Sequence, residues 1–300
     1  MGLHRYVAEE IAADCGEGLI SRREALRRLG LLGLGAAASA TLLAACGDDD
    51  DDDGVAVATT TGGDVPTSTT SAAVGVTGEI IRFAGPRGQL IGAWAAATSP
   101  KGAVLVIHEN RGLTDHIRSV TGRVAEQGYS ALAVDLLSEE GGTAEIDDEG
   151  RAQAILGGAS TERLVADLGA GLDELERRVP DEKLAAMGFC FGGGMVWQLL
   201  QAGEARLAAA VPFYGPAPDD PDFSGARAAV LAIYGEQDER VNATRDRAVA
   251  ALEEADLPHQ VLTYPGAGHA FFNDTGPRYN AGAAREAFEE VVKWYARYLA

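Results

Sequence analysis

The sequence has little basic charge, no long uncharged hydrophobic span and no internal repeat. Its 25 Lys and Arg residues stand against 45 Asp and Glu residues, which gives a formal net charge of −20. Such an acidic chain is not suited to nucleic acid, because the phosphate backbone attracts basic proteins. The lack of long charge-free spans argues against a multi-pass membrane protein. A hydrophobic content of 46% in 300 residues is consistent with one large globular domain plus appendages.

Residues 1–46 have the pattern of an export signal. The paired arginines Arg22 and Arg23 precede a weakly apolar Gly/Ala/Leu run over residues 29–45, as in a twin-arginine signal. The run ends in Leu-Ala-Ala-Cys, which resembles the lipobox where a bacterial lipoprotein is cleaved and lipidated, here on Cys46. We therefore expect an exported protein that a lipid anchor holds at the outer face of the cytoplasmic membrane.

This interpretation leaves two alternatives and one unexplained feature. The segment is alternatively a short uncleaved membrane anchor or an ordinary cleavable signal. The amphipathic stretch of residues 1–20, ahead of the arginines, is longer than a minimal signal requires. The sequence offers no physical reason for that stretch.

Residues 47–78 are predicted to be a flexible tether, because they cannot form a core. Asp48 to Asp53 are a continuous acidic run, and the Thr/Ser/Gly/Val-rich stretch after them has no structural period. A metal site made by the aspartates is the alternative, but such charge runs are usually solvated. The folded domain is expected over residues 79–300.

Cysteine is scarce, with only three in the chain. Cys15 and Cys46 fall within the predicted signal, so Cys190 is the only thiol of the domain that follows, and no disulfide can form inside that domain. An exported protein that keeps one unpaired thiol is open to oxidation, which favours a chemical role for the thiol.

Residues 79–300 alternate between short apolar stretches and amphipathic ones. Strands are predicted at 79–83 and 89–96, as an entry hairpin, and at 103–107, 129–135, 183–188, 207–214, 228–235 and 260–265. Helices are predicted at 114–127, 149–156, 160–178, 194–201, 242–255 and 279–299. The alternation predicts an α/β fold with a mostly parallel central sheet and helices on both faces.

Cys190 lies at the corner between a predicted strand and a predicted helix. At such a sharp turn the residues two positions away on either side approach each other closely, and Gly188 and Gly192 remove the collision. The N-terminus of the following helix favours a thiolate. Cys190 is therefore a candidate nucleophile, and a small, buried, inert cysteine is the alternative.

A carboxylate and a histidine follow this corner in the order that a nucleophile elbow requires. Asp238 comes just after the predicted strand at 228–235, and His269 follows the strand at 260–265. A turn aspartate and a loop histidine are each unremarkable alone. Their order and their positions after strands favour a Cys-Asp-His set.

The segments Gly-Phe-Cys-Phe-Gly-Gly, Tyr-Gly-x-x-Asp and Ala-Gly-His-Ala-Phe resemble the dienelactone hydrolase family of α/β-hydrolases, over about residues 79–300. The resemblance implies hydrolysis of a small-molecule ester or lactone by Cys190, Asp238 and His269, with no cofactor and no metal. It also implies that Glu109 contacts the resting thiol and takes its proton when substrate arrives. A loop carboxylate facing water is the alternative for Glu109, and we expect a monomer.

The remaining predicted site residues concern the oxyanion and the substrate. Backbone N–H groups of Phe191 and Asn110 are expected to hold the oxyanion. Characterised members of the family bind a substrate carboxylate with arginines, one of them four residues after the catalytic histidine. Asn273 occupies that position here, which predicts a different or less charged substrate. The candidate substrate contacts are Asn273, Arg111 and Tyr214, with Arg151 and Arg278 as substitutes for the missing arginine.

Two other functions are compatible with parts of the sequence. A lipid-tethered binding protein without catalysis could share the hydrolase fold, since fold does not fix function. A zinc hydrolase could use His108, Glu109, His116 and His269. However, His108-Glu109 lacks the second histidine that a helical HExxH zinc site requires.

Overall fold

A computed structural model describes residues 2–44 and 77–300, and an eight-stranded sheet is its central element. The strands are β1 (Glu79–Gly85), β2 (Gly88–Ala95), β3 (Ala103–Ile107), β4 (Ser130–Asp135), β5 (Leu184–Phe189), β6 (Leu207–Phe213), β7 (Ala229–Gly235) and β8 (His259–Tyr264). Their order across the sheet is β1-β2-β4-β3-β5-β6-β7-β8.

Helices cover both faces of this sheet and the N-terminal part of the chain. They are α1 (Leu3–Gly16), α2 (Arg22–Leu31), α3 (Ala36–Leu42), α4 (Asp115–Glu126), α5 (Glu149–Gly158), α6 (Thr161–Arg178), α7 (Phe191–Gln201), α8 (Glu239–Asn242), α9 (Arg245–Glu254) and α10 (Ala281–Tyr298). Short 3₁₀ turns occur at Ser138–Glu140 and Thr143–Glu145. No helix within residues 2–44 and 77–300 is both long and apolar enough to span a bilayer.

The sheet confirms the predicted α/β architecture. β1 pairs antiparallel with β2, and β2 pairs antiparallel with β4, whereas the other neighbouring strands are parallel. β3, β4, β5 and β7 are buried along their whole length, as expected for strands with helices on both faces. In the parallel part of the sheet, the loops that leave the carboxyl ends meet at one edge, where ligands bind in open α/β sheets.

Two predicted helices differ from the structure at their starts. The helix predicted at 242–255 is α9, which begins at Arg245, and the short helix α8 comes before it because the Asp238 side chain accepts a hydrogen bond from the N–H of Val241 and caps a separate turn. The helix predicted from 194 begins at Phe191, so three glycines lie in its first turn. At Gly193 a Cβ would lie 2.4 Å from the carbonyl oxygen of Phe213, so the helix packs directly on the backbone of β6.

The N-terminal helices α1, α2 and α3 pack against the rest of the protein. Val7, Ile11 and Leu29 are fully buried. The helices lie close to α5 at Gly157, where a Cβ would come within 2.8 Å of Leu32 and 3.2 Å of Val7. The unexplained amphipathic stretch before the paired arginines is thus largely helix α1, which packs its apolar face inward.

The predicted export signal is only partly within the described residues. Arg22, of the paired arginines, donates a hydrogen bond to the carbonyl oxygen of Leu43 at 2.8 Å. The predicted lipidation site Cys46, and the predicted tether as far as residue 76, lie outside the residues that the structure describes.

Candidate active site

Cys190 occupies a strained corner between β5 and α7. Its backbone has φ 55° and ψ −117°, a conformation that residues with a side chain rarely adopt. A Cβ at Gly188 would lie 2.2 Å from the carbonyl oxygen of Gly192, and one at Gly192 would lie 2.3 Å from that of Ile107. These contacts give the physical reason for both glycines, and the geometry is that of a nucleophile elbow.

Asp238 and His269 meet beside this corner. Asp238 follows β7 and His269 lies in the loop after β8, and both side chains are buried. The Oδ2 atom of Asp238 lies 2.6 Å from Nδ1 of His269, a hydrogen bond that fixes the orientation of the imidazole ring. Burial would raise the pKa of Asp238, but His269 outweighs burial and holds this pKa below its usual range. Asp238 is therefore an ionised partner of the histidine.

Two side chains of α1 complete the surroundings of the thiol, and sequence reasoning missed both. The hydroxyl of Tyr6 lies 3.2 Å from Sγ of Cys190, within hydrogen-bond distance. The Oε1 atom of Glu10 lies 3.2 Å from Nε2 of His269, an ion-pair contact that lacks hydrogen-bond alignment. A ring nitrogen of His269, a carboxylate oxygen of Glu10 and Sγ of Cys190 all lie within 4.8 Å of one another. The four-residue spacing of Tyr6 and Glu10, which puts both side chains on one helical face, was the only feature of the sequence that could have indicated them.

The charges around the site alter the protonation of its central groups. Burial alone would lower the pKa of His269, but the carboxylates of Glu10 and Asp238 raise it well above the usual range for histidine. Burial raises the pKa of the Cys190 thiol, and Glu10 raises it further, against the opposing effect of His269. The two carboxylates therefore favour the protonated imidazole, and burial together with Glu10 favours the neutral thiol.

Glu109 has a different partner from the thiol contact that the family resemblance implies. Its Oε2 atom accepts a hydrogen bond of 2.6 Å from the side-chain amide of Asn273. Its Oε1 atom has no hydrogen-bond partner among the described residues. Burial raises the pKa of Glu109 above its usual range, against the opposing effects of nearby basic groups and of the Asn273 hydrogen bond. Asn273, expected to contact substrate, therefore also positions this carboxyl group.

The predicted oxyanion donors lie next to the nucleophile. Phe191 is the first residue of α7, where a backbone N–H has no acceptor within the helix. Asn110 is buried in the loop after β3 and lines the same cavity as Cys190. His108 holds that loop in place, because its Nε2 accepts a hydrogen bond from the N–H of Leu136 at 3.1 Å and its Nδ1 lies 2.6 Å from the carbonyl oxygen of Glu109.

A cavity of about 270 Å³ adjoins Cys190. Arg111 and Arg278 line it, together with Arg28 from α2, whereas Arg151 is not among its lining residues. Tyr214 is buried, and its ring packs edge-on against His269 at 5.2 Å between ring centroids, outside this cavity's lining.

The zinc alternative is not supported by the positions of its residues. His108 is occupied by backbone groups, and His116 contacts the carboxylate of Asp274 at 2.7 Å. Over residues 2–44 and 77–300, the group of metal-ligating side chains that comes together is Glu10, Cys190 and His269 instead. Because this group contains the predicted nucleophile and base, it belongs to the site already described.

Comparison with known proteins places the chain in a family. The model of the dienelactone hydrolase family matches residues 91–299. Two relatives bear the name "Putative carboxymethylenebutenolidase": one from Saccharolobus solfataricus, 29% identical over 241 residues (68% of this chain, 92% of the relative), and one from Salmonella typhimurium, 31% identical over 212 residues (65% and 77%). A solved dienelactone hydrolase-like promiscuous phosphotriesterase from metagenomic libraries superposes with a TM-score of 0.65 and 26% identity, covering 75% of this chain and all of that one. The fold, the elbow and the family match agree, and the chain belongs to the dienelactone hydrolase family of ester and lactone hydrolases.

Proposed function

We propose that the chain hydrolyses small-molecule esters or lactones with Cys190 as nucleophile, His269 as acid and base, and Asp238 as the group that orients the histidine. One observation carries this proposal. Cys190 projects from a strained elbow at the N-terminus of α7 toward a histidine that is hydrogen-bonded to a buried aspartate. This arrangement supports roles as nucleophile, base and orienting acid.

Acylation begins with loss of the thiol proton. Glu109 is suited to receive it, because its Oε1 atom has no hydrogen-bond partner in the described part of the chain and its pKa is raised. The thiolate sulfur then forms a bond to the substrate carbonyl carbon, and the N–H groups of Phe191 and Asn110 stabilise the oxyanion. As the C–O bond to the leaving group breaks, His269 donates its proton to the departing alkoxide.

Deacylation reverses the roles of the histidine. His269, now neutral, removes a proton from a water molecule, and the resulting hydroxide attacks the thioester carbonyl. Collapse of this intermediate breaks the C–S bond and releases the acid and the thiolate, and Glu109 returns to the thiolate the proton that it took during acylation. Asp238 keeps Nδ1 of His269 protonated throughout, so that Nε2 faces the reacting atoms.

The cavity beside Cys190 suggests a substrate of modest size. A volume of about 270 Å³ accommodates a small ester or lactone rather than a polymer chain. Asn273 stands where the family has an arginine, and its amide is hydrogen-bonded to Glu109. Arg111 and Arg278 line the cavity wall and are suited to bind an anionic group on the substrate instead. We therefore propose that the substrate is a small ester or lactone, and that Arg111 or Arg278 binds an acidic group if the substrate carries one.

The chemistry is tested by hydrolysis of p-nitrophenyl acetate and of a dienelactone with the full chain. Cys190→Ala is expected to lower kcat/KM by about 10⁴-fold or more on both substrates. Cys46→Ala, which removes a thiol in the predicted lipobox, is the matched control and is expected to leave both rates unchanged. Retained hydrolysis in Cys190→Ala refutes the nucleophile. A wild-type chain that hydrolyses neither substrate although its Cys190 is readily alkylated favours the lipid-tethered binding protein.

We also propose that the protein is exported through the twin-arginine route and lipidated on Cys46. The paired arginines, the weakly apolar run and the Leu-Ala-Ala-Cys segment support this proposal. Metabolic labelling with a fatty acid is expected to mark the wild type and not Cys46→Ala. Equal labelling of both proteins, or none of either, contradicts it.

A further inference from the structure

Helix α1 reaches directly into the proposed active site. Tyr6 and Glu10 lie one turn apart, so both side chains project from the same face of the helix. Tyr6 contacts the sulfur of Cys190, and Glu10 faces the catalytic nitrogen of His269. Both side chains are buried, and Cys190 is only 3% exposed. The two groups that must meet a substrate are therefore already in contact with the chain's own N-terminal segment.

The charges of α1 match those of the surface that it covers. Glu10, Asp14 and Glu17 lie on one helical face. Arg240 pairs with Glu10, and its guanidinium also lies over the ring of Tyr6, 4.7 Å from the ring centroid. Arg278 pairs with Asp14 at 2.8 Å and with Glu17 at 2.7 Å.

Helix α1 also divides the cleft. One cavity of about 270 Å³ lies on the Cys190 side, and a second of about 470 Å³ lies on the side of Asp238 and His269. Glu10 and Arg278 line both cavities, so they form the partition between them. Without α1 the nucleophile and its base would open onto a single larger cleft.

We propose that α1–α3 (residues 3–42) act as an intramolecular inhibitor that binds the catalytic cleft through Tyr6 and Glu10. The inference rests on the proposed function, since it concerns access to the same thiol. In the bound state the carboxylate of Glu10 lies against Nε2 of His269, the nitrogen that must face the leaving group and the attacking water. Tyr6 meanwhile occupies the space over the sulfur through which an ester carbonyl would approach.

The inhibitor lies outside the family domain. The family match begins at residue 91, whereas α1–α3 end at Leu42. If the predicted lipobox is cleaved before Cys46, the cleavage separates α1–α3 from the domain and allows them to dissociate. Folding before export would then yield a closed enzyme, and processing at the membrane would yield an open one.

The test compares Cys190 alkylation with catalysis in the full chain. Iodoacetamide modification of Cys190 is followed by peptide mass spectrometry, which distinguishes this thiol from Cys15 and Cys46. Rates are compared at the high-pH plateau of the alkylation profile, because loss of Glu10 also lowers the pKa of the thiol. At that plateau the double variant Tyr6→Ala/Glu10→Gln is expected to be alkylated about tenfold faster or more, because it loses the contacts that hold α1 over the sulfur. Its kcat/KM for p-nitrophenyl acetate should rise in parallel.

Two variants keep this test specific. Glu9→Gln changes a carboxylate of the same helix that pairs with Arg5 instead of the cleft, and both rates should remain at the wild-type value. Asp14→Asn weakens the pair with Arg278 without touching Cys190 or His269, and the alkylation rate should rise by a smaller factor, about threefold. Thermal melts show whether each variant is folded.

Each outcome separates the inhibitor from the catalytic proposal. Unchanged alkylation in both the double variant and Asp14→Asn overturns the inhibitor and leaves the triad untouched. A fall in kcat/KM of the double variant also overturns it, because Tyr6 or Glu10 would then serve the reaction. Faster alkylation without ester hydrolysis in any form supports the inhibitor and refutes the proposed function.

Discussion

The contact between Glu109 and Asn273 predicts how much the free energy of unfolding changes in Asn273→Ala and how that change depends on pH. In Asn273→Ala the buried carboxylate loses its hydrogen bond at Oε2, and its Oε1 atom has no hydrogen-bond partner among the described residues. A hydrogen bond to a charged group contributes about 1.5–3 kcal/mol, so the free energy of unfolding should fall by about that amount when Glu109 is ionised, in addition to a pH-independent loss of the hydrogen bonds that Oδ1 of Asn273 accepts from Thr275.

The sign of the pH dependence follows from the direction of the pKa. Burial already raises the pKa of Glu109 in the folded protein, and the Asn273 hydrogen bond opposes that rise. Removing the amide raises the folded pKa further above the unfolded value. The unfolded chain then releases the proton at a lower pH than the folded one, so the variant loses stability progressively as the pH rises toward the folded pKa.

The assay is urea unfolding of the full chain at about pH 5.5 and about pH 8. Asn273→Ala should show its larger loss at the higher pH. Asn280→Ala is the matched control: Oδ1 of Asn280 accepts a hydrogen bond from the neutral N–H of Ala283 and caps α10, so its loss of about 1 kcal/mol should not vary with pH. An Asn273→Ala loss that is equal at both pH values refutes the reasoning.

Three further changes have predicted outcomes. Gly192→Ala places a Cβ 2.3 Å from the carbonyl oxygen of Ile107, so unfolding in urea should show a loss of about 3 kcal/mol or failure to fold; wild-type stability would contradict the elbow geometry. Asp238→Asn removes the charge that orients His269 and should lower kcat by about 10³–10⁴-fold in ester hydrolysis, with folding checked by a thermal melt; a drop below tenfold would contradict its role. Glu10→Gln removes a carboxylate that raises the pKa of His269, the acid of acylation, so the falling limb of the pH–kcat/KM profile should move to lower pH; a limb that stays in place would show that Glu10 does not control this acid.

The fold and the core of the site were predictable because their signals are local. Each buried strand appears as an apolar run, and Cys190 is marked by glycines two residues away on either side. Asp238 and His269 each follow a strand directly, and the carboxyl ends of parallel strands meet at one edge of a sheet. A few short segments were therefore enough to predict the architecture and to predict that these three residues lie close together.

The rest of the site depends on contacts between distant parts of the chain. Asn273 reaches Glu109 across 164 residues, and Tyr6 reaches Cys190 across 184. The N-terminal stretch has a helical pattern, but that pattern does not reveal which surface its apolar and acidic faces cover. Paired arginines and a weakly apolar run indicated a targeting segment, whereas the burial of Tyr6 and Glu10 is a property of the folded molecule alone.

The most direct test of the central claim is detection of the acyl-enzyme. The full chain is mixed with p-nitrophenyl acetate, quenched in acid during turnover and digested, and the acetylated peptides are identified by mass spectrometry. An acetyl thioester on Cys190 is expected to form within the first turnover and to be lost as the substrate is consumed. Turnover that proceeds while Cys190 remains unmodified, with the acetyl group on another residue, would contradict it.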